Sequence, residues 1–209
     1  PENAKRFREK YELGQYPVLL SVGRITERKG LLPFIQNAFP HIREKFPTVK
    51  LVIIGSEPVH ALKQDKQNIT AEIKDYLKKN NLTDAVIFLG RCEDETLIAA
   101  YQAANVHVFP VLASNSDVEG FGMVAIEAAA NGLPTVAFDS GGVADAIINH
   151  TTGKLVIATD YVGFSEAVIS VLVSTDIEQH LDQCRDFAKQ RDWSVFQKGI
   201  LNVIAKCHD

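Results

Sequence analysis

The chain has 209 residues, of which 46% are hydrophobic and 23% are charged. Its 22 basic and 26 acidic residues give a net charge of −4, so no basic excess indicates binding to nucleic acid or to anionic lipid. No apolar run is long enough to span a membrane, the first residues lack the apolar region of a signal peptide, and the three cysteines show no paired spacing. We therefore expect a reduced, cytoplasmic protein.

Short apolar runs rich in β-branched residues alternate with longer amphipathic stretches along the chain. The short runs predict strands at 17–23, 49–55, 85–90, 105–110, 134–138 and 153–157. The longer stretches predict helices at 31–46, 61–80, 93–103, 122–131, 143–149, 161–174, 177–189 and 194–206. This alternation predicts an α/β fold, with a doubly wound, Rossmann-like parallel sheet of about six strands flanked by helices.

Glycine and charged residues recur where the predicted strands end, which is the edge at which such sheets bind ligands. Arg24 and Lys29 follow the first strand and supply two cations suited to a diphosphate. The later strands are followed by Gly55, by Gly90 with Arg91, and by Gly141 with Gly142. Gly122 and Gly142 each precede a predicted helix, whose amino terminus offers N–H groups to an anion.

Two glutamates, Glu119 and Glu127, lie eight positions apart around this edge. In one continuous helix they would point roughly 80° apart, so they cannot act as a single pair. We therefore place Glu119 in the loop before the helix and Glu127 on its second turn. This arrangement favours two contacts on different parts of an extended ligand over a hydrolytic pair of carboxylates.

A series of motifs in fixed order adds a family resemblance. The motifs are SVGR at 21–24, KG at 29–30, VIIG at 52–55, VIFLG at 86–90, EGFGMVAIEA at 119–128, NGLPTV at 131–136 and GG at 141–142. Together they resemble the C-terminal domain of family 4 glycosyltransferases, which is one half of a GT-B fold. The resemblance covers about 16–206.

The resemblance implies catalytic roles for three side chains. Arg24 and Lys29 would hold the diphosphate of a nucleotide-sugar and stabilise it as a leaving group, and Glu119 would accept hydrogen bonds from the donor sugar. It also implies binding residues along the edge: Gly55 in the loop after the second strand, Gly90 and Arg91 near the base, Phe121, Gly122 and Met123 at the sugar and phosphates, and Glu127 at the ribose. Two positions depart from the family pattern, Glu57 in place of glycine and Asp145 in place of glutamate.

The same resemblance implies a retaining hexosyltransferase that uses a UDP- or GDP-sugar and needs neither cofactor nor metal. Residues 1–15 would be a linker or helical stub, 16–190 the nucleotide-sugar-binding domain, and 191–209 a terminal helix. That helix either crosses to an N-terminal acceptor-binding domain or packs locally with Trp193 in the core. Because we find no second sheet, we expect this fragment to transfer little or nothing alone.

Other functions remain open from the sequence. A sugar-nucleotide epimerase or a phosphorylase-like relative would keep the diphosphate cations, and a non-catalytic nucleotide-binding module would need no partner domain. No histidine spacing indicates a metal site, and His107, inside an apolar strand, reads as a core residue.

Overall fold

The computed structural model describes residues 2–58, 68–113, 119–174 and 177–206. Its strands are β1 Val18–Val22, β2 Lys50–Ile54, β3 Val86–Gly90, β4 Val106–Phe109, β5 Thr135–Asp139 and β6 Gly153–Ile157. They form one parallel sheet in the order β3-β2-β1-β4-β5-β6. The predicted doubly wound α/β fold is confirmed, and each strand bound differs from the prediction by one residue at most.

Helices cover both faces of this sheet. They are α1 Glu2–Lys10, α2 Leu31–Asn37, α3 Phe39–Lys45, α4 Ile69–Lys79, α5 Asp94–Ala103, α6 Met123–Ala130, α7 Tyr161–Leu172, α8 Ile177–Lys189 and α9 Trp193–Lys206. Packing contacts place α2, α3, α4 and α7 on one face, and α1, α5, α6 and α8 on the other.

Alternate residues of the strands supply the two apolar layers between sheet and helices. In β1, Leu19 packs in the layer under α2 and α7, whereas Leu20 and Val22 pack in the layer under α5. This follows from the period of two in a strand, which sends successive side chains to opposite faces. Burial on both faces explains why apolar residues dominate successive positions of the strands and do not simply alternate with polar ones.

Two of the predicted helices are wrong in detail. The stretch 31–46 forms α2 and α3, separated at Ala38, because Pro40 lacks an N–H and is accommodated only in the first turn of a new helix. The stretch 143–149 is not an α-helix, since a 3₁₀ turn spans Gly141–Ala146 and ends there. Part of the predicted helix 61–80 lies outside the described residues, and α4 begins at Ile69.

The terminal helices differ in how they pack. Phe7 of α1 is buried with residues of α5, and Leu13, just after α1, is fully buried. Trp193, at the start of α9, is 72% exposed, so the alternative that places it in a local core is wrong. In the described ranges, no helix combines the length and apolar character needed to cross a lipid bilayer.

Candidate active site at the carboxyl edge of the sheet

The strand order creates a crevice at one point along the sheet. β1 lies between β2 and β4, and the chain leaves β1 towards α2 on one face and β4 towards α6 on the other. The loops that follow these two strands therefore separate at their carboxyl ends, which is where open α/β sheets bind ligands. Arg24, Lys29 and Glu119 all lie on these two loops.

The loop after β1 reaches across to the end of β4 because of a glycine. Gly30 has a φ of 66°, and a Cβ added there would lie 1.9 Å from the carbonyl oxygen of Pro110. Only glycine permits this approach. The contact is reinforced by a hydrogen bond of 2.9 Å from the Leu112 N–H to the Arg28 carbonyl. It brings the 3₁₀ turn Glu27–Lys29 next to the loop that carries Glu119.

An ion cluster forms where the two loops meet. One carboxylate oxygen of Glu119, Oε2, accepts hydrogen bonds from Arg28 Nη1 at 2.5 Å and from Lys29 Nζ at 2.8 Å. The Arg28, Lys29 and Glu119 side chains are only 11%, 15% and 15% exposed. Lys29 Nζ also lies 4.8 Å from the centre of the Phe109 ring, a cation–π contact.

Burial and charge act against each other in this cluster. Burial would raise the pKa of Glu119, but hydrogen bonds and charge from Lys29 and Arg28 hold it below its ordinary value. Burial lowers the pKa of Lys29, Glu119 opposes that effect, and the like charges of Arg28 and Arg24 add to it. Arg24 thus lies within electrostatic reach of Lys29, while its own side chain is exposed at the crevice.

The amino terminus of α6 faces the same crevice. Gly122 precedes α6 with a φ of 74° and no side-chain cap, which leaves the N–H groups of the first turn to other partners. Phe121 and Met123 on either side are exposed. Glu119 lies in the loop before α6 and Glu127 on its second turn, as predicted from their spacing.

Glu127 has a partner of its own on the neighbouring helix. The Tyr101 hydroxyl donates a 2.9 Å hydrogen bond to Glu127 Oε2. Burial, with the Glu127 charge adding, raises the pKa of Tyr101, so the hydroxyl stays protonated and remains a donor. The two glutamates therefore have separate partners and do not form a carboxylate pair.

Gly142 does not offer a helix amino terminus, contrary to the prediction. Its N–H donates to the Glu119 carbonyl at 2.8 Å, and a Cβ added to it would lie 1.9 Å from the Gly120 carbonyl oxygen. Because no α-helix follows and this N–H is already used, an anion has little to gain here. Gly142 instead joins the loop after β5 to the segment that carries Glu119.

The ends of β2 and β3 border a pocket of 570 Å³ beside the loop after β1. Gly55 and Gly90 are hydrogen-bonded through their main chains at 2.8 Å, and both line the pocket. Arg91, next along the chain, is exposed. Glu57, where the family resemblance predicts glycine, accepts a 2.7 Å hydrogen bond from the Thr70 N–H in the first turn of α4, whose N-cap residue is Asn68.

Two residues of the site were missed from the sequence, Arg28 and Tyr101. Arg28 was visible only as one more charge in a charged loop, and Tyr101 only as an aromatic residue on a helix. The neighbouring sequence predicts neither contact, because the partners, Glu119 for Arg28 and Glu127 for Tyr101, come from other segments of the chain. Within the part of the chain that the structure describes, no three histidine, cysteine, aspartate or glutamate side chains gather as a possible metal site.

A doubly wound parallel sheet, with cations beside its switch point, defines a Rossmann-like α/β domain. Residues 3–191 match the family described as Glycosyl transferases group 1, and the chain belongs to this family. One relative is a GDP-mannose-dependent α-(1-6)-phosphatidylinositol monomannoside mannosyltransferase of Mycolicibacterium smegmatis. The two sequences are 32% identical over 174 residues, which cover 82% of this chain and 43% of the relative. This chain is also 35% identical over 154 residues, 74% of the chain and 33% of the relative, to a glycogen synthase of Mycobacterium tuberculosis.

Two solved structures share the fold. Anabaena HepE in complex with UDP and glucose matches with a TM-score of 0.81 at 19% identity, over 98% of this chain and 52% of that one. A sucrose-phosphate synthase of Thermosynechococcus elongatus matches with a TM-score of 0.75 at 27% identity, over 98% and 49%. The predicted membership of a GT-B half is thus confirmed. The chain spans about half the length, or less, of the curated relatives that it matches.

Proposed function

We propose that this chain binds the nucleotide-diphosphate sugar of a retaining hexosyltransferase and stabilises the diphosphate as it leaves. The observation that carries the proposal is the ion cluster of Lys29 and Glu119 beside the uncapped amino terminus of α6, at the switch point of the sheet. Family membership supports transfer over the epimerase and the purely binding alternatives.

Arg24 and Lys29 supply the charge that the reaction needs. Breaking the glycosidic C–O bond places negative charge on the diphosphate, and fixed cations and N–H dipoles stabilise that charge without reorganising. The N–H groups at the start of α6 add to this stabilisation. Because protein groups provide the positive charge, the mechanism proposed here uses no metal and no cofactor.

The two glutamates serve different parts of the donor in this proposal. Glu119 accepts hydrogen bonds from the sugar hydroxyls, and Glu127, oriented by Tyr101, accepts those of the ribose. The base lies beside Gly90 and Arg91, where the pocket between β2, β3 and α4 offers room. Relatives whose names include GDP-mannose and a similar fold solved with UDP support GDP- and UDP-sugars as the candidate donors.

A second domain would hold the acceptor. The curated relatives are about twice as long as the part of them that this chain matches, which leaves room for an acceptor-binding half. Such a domain would close the crevice from the opposite side and exclude water from the reacting centre. We propose that the whole protein acts in the cytoplasm, and that this chain alone binds the donor but transfers little.

Isothermal titration of this chain with UDP, GDP and ADP tests donor binding. We expect one nucleotide to bind in preference to the others. Arg24→Ala and Glu127→Ala should each lower the affinity for that nucleotide by about ten- to a hundredfold. This is the range for the loss of a charge-assisted hydrogen bond.

The matched control removes a cation that is remote from the crevice. Lys45→Ala, in the last turn of α3, deletes an exposed positive charge without touching the carboxyl edge. It should leave nucleotide affinity unchanged. Absence of binding by all three nucleotides, or equal losses in Lys45→Ala and Arg24→Ala, would refute a donor site at this edge.

A further inference from the structure

Glu119 forms an ion pair with Lys29, one of the two cations that the proposed function assigns to the diphosphate. In the free protein its Oε2 is bonded to Lys29 and to Arg28 at the same time. An arriving diphosphate therefore competes with an internal carboxylate for Lys29. The outcome depends on what else can hold Glu119, since a carboxylate left buried without a partner is costly.

Arg28 is placed to hold Glu119 when Lys29 is withdrawn. Its side chain is 11% exposed, whereas Arg24 on the same loop is exposed. Its carbonyl accepts a hydrogen bond from the Leu112 N–H, which holds the main chain of Arg28 against the loop after β4, and its guanidinium donates to Glu119. A guanidinium also stays charged at any pH at which the protein folds.

We propose that Arg28 is a positioning residue that retains Glu119 while Lys29 turns to the diphosphate. This inference rests on the proposed function. Arg28 acts through Glu119 and does not contact the donor. Arg28 has a second role, which is to weaken the ion pair between Glu119 and Lys29. It does so because the carboxylate accepts hydrogen bonds from both cations.

A double-mutant cycle separates this role from direct contact with phosphate. The chain is titrated with GDP and with UDP as wild type, Arg28→Gln, Glu119→Gln and the double variant. We expect Arg28→Gln to weaken nucleotide binding by about tenfold in the wild-type background, because Arg28 no longer shares the charge of Glu119 with Lys29. In the Glu119→Gln background the same change should have no effect, because the competing carboxylate is gone.

Arg28→Lys serves as the conservative variant and keeps a cation at Glu119. It should restore most of the affinity lost in Arg28→Gln. If Arg28→Gln does not fold, the cycle is repeated with Arg28→Lys. The Arg28→Lys change should then alter nucleotide affinity only when Glu119 is present, and not in the Glu119→Gln background. Equal losses in both backgrounds would show that Arg28 touches the phosphates, and no loss in either would show that it positions nothing.

The same titrations distinguish the failure of this inference from the failure of the proposed function. If wild type binds a nucleotide and Arg28→Gln weakens it equally with and without Glu119, only the role of Arg28 is overturned. If neither wild type nor any variant binds GDP or UDP, donor binding by this chain is refuted and the inference is overturned with it.

Discussion

His107 is a buried histidine in the central strand β4 with one of its two ring nitrogens bonded. Nδ1 lies 3.1 Å from Thr135 Oγ1, and Nε2 has no partner among the described residues. Burial, followed by the nearby charge of Lys29, lowers its pKa to about 3 from 6.5. The sequence interpretation of a core histidine is confirmed, although only half of its hydrogen-bonding capacity is used.

This lowered pKa predicts a loss of stability in mild acid. A group whose folded pKa lies below its unfolded value stabilises the fold fully above the unfolded pKa, here 6.5. That stabilisation falls by about 1.4 kcal/mol per pH unit as the pH drops from 6.5 towards 3, because unfolded His107 takes up a proton that the folded protein excludes. His107→Phe, which keeps a ring against Phe109 and Tyr101, should flatten this dependence in urea unfolding measured from about pH 7 to about pH 5.

An exposed histidine provides the control for that experiment. His41 on α3 has a half-exposed side chain outside the core, so His41→Phe should change the slope of stability against pH less than His107→Phe does. A slope that persists in His107→Phe and disappears in His41→Phe would contradict the assignment to His107.

At the scale of elements, the contact between the loops after β4 and β5 depends on Gly142. We expect Gly142→Ala to lower the free energy of unfolding by about 1–3 kcal/mol, because its Cβ would collide with the Gly120 carbonyl, a backbone atom that cannot turn away. Urea denaturation measures the change. Gly120→Ala is the control on the other side of the contact, since a Cβ there meets nothing within 4 Å and should cost much less. Equal midpoints for the two variants would contradict this account.

The elements also show how far the sequence predicts the structure. Strands are specified locally, by apolar runs buried on both faces, and all were placed to within a residue. The turn after β5 is specified by the approach of Gly142 to Gly120, a tertiary contact that no local pattern carries. The same reason applies to the site. The sequence predicts Lys29 and Glu119 at one edge of the sheet, but it does not predict that they pair or that Arg28 joins them. That pairing depends on the close approach of the loops after β1 and β4, which Gly30 permits.

In the whole molecule, the residues of the candidate site and the residues of the apolar core lie in different places. The cations, Glu119 and the start of α6 lie at the carboxyl edge of the sheet, while the two apolar layers lie beneath it on either face. A second cavity, of 340 Å³, lies at the opposite edge near the amino ends of β4, β5 and β6, with Leu133, Lys154 and His180 among its lining residues. Changes at the crevice should therefore alter binding more than folding.

α9 is the one element whose apolar side chains stay outside those layers in the described structure. Trp193, Phe196, Ile200 and Ile204 recur at helical spacing and are exposed, and the Trp193 and Phe196 rings touch at 5.8 Å between centres. A stripe of this kind lowers its free energy by leaving water, so we expect the chain to self-associate through α9. Sedimentation should give a mass that rises above 23.1 kDa with concentration. Phe196→Ser with Ile200→Ser should abolish the rise, whereas Ile157→Ser, an isolated exposed residue at the end of β6, should not. A constant monomer mass for wild type would contradict the prediction, because it would mean that the stripe is too small to hold two copies together.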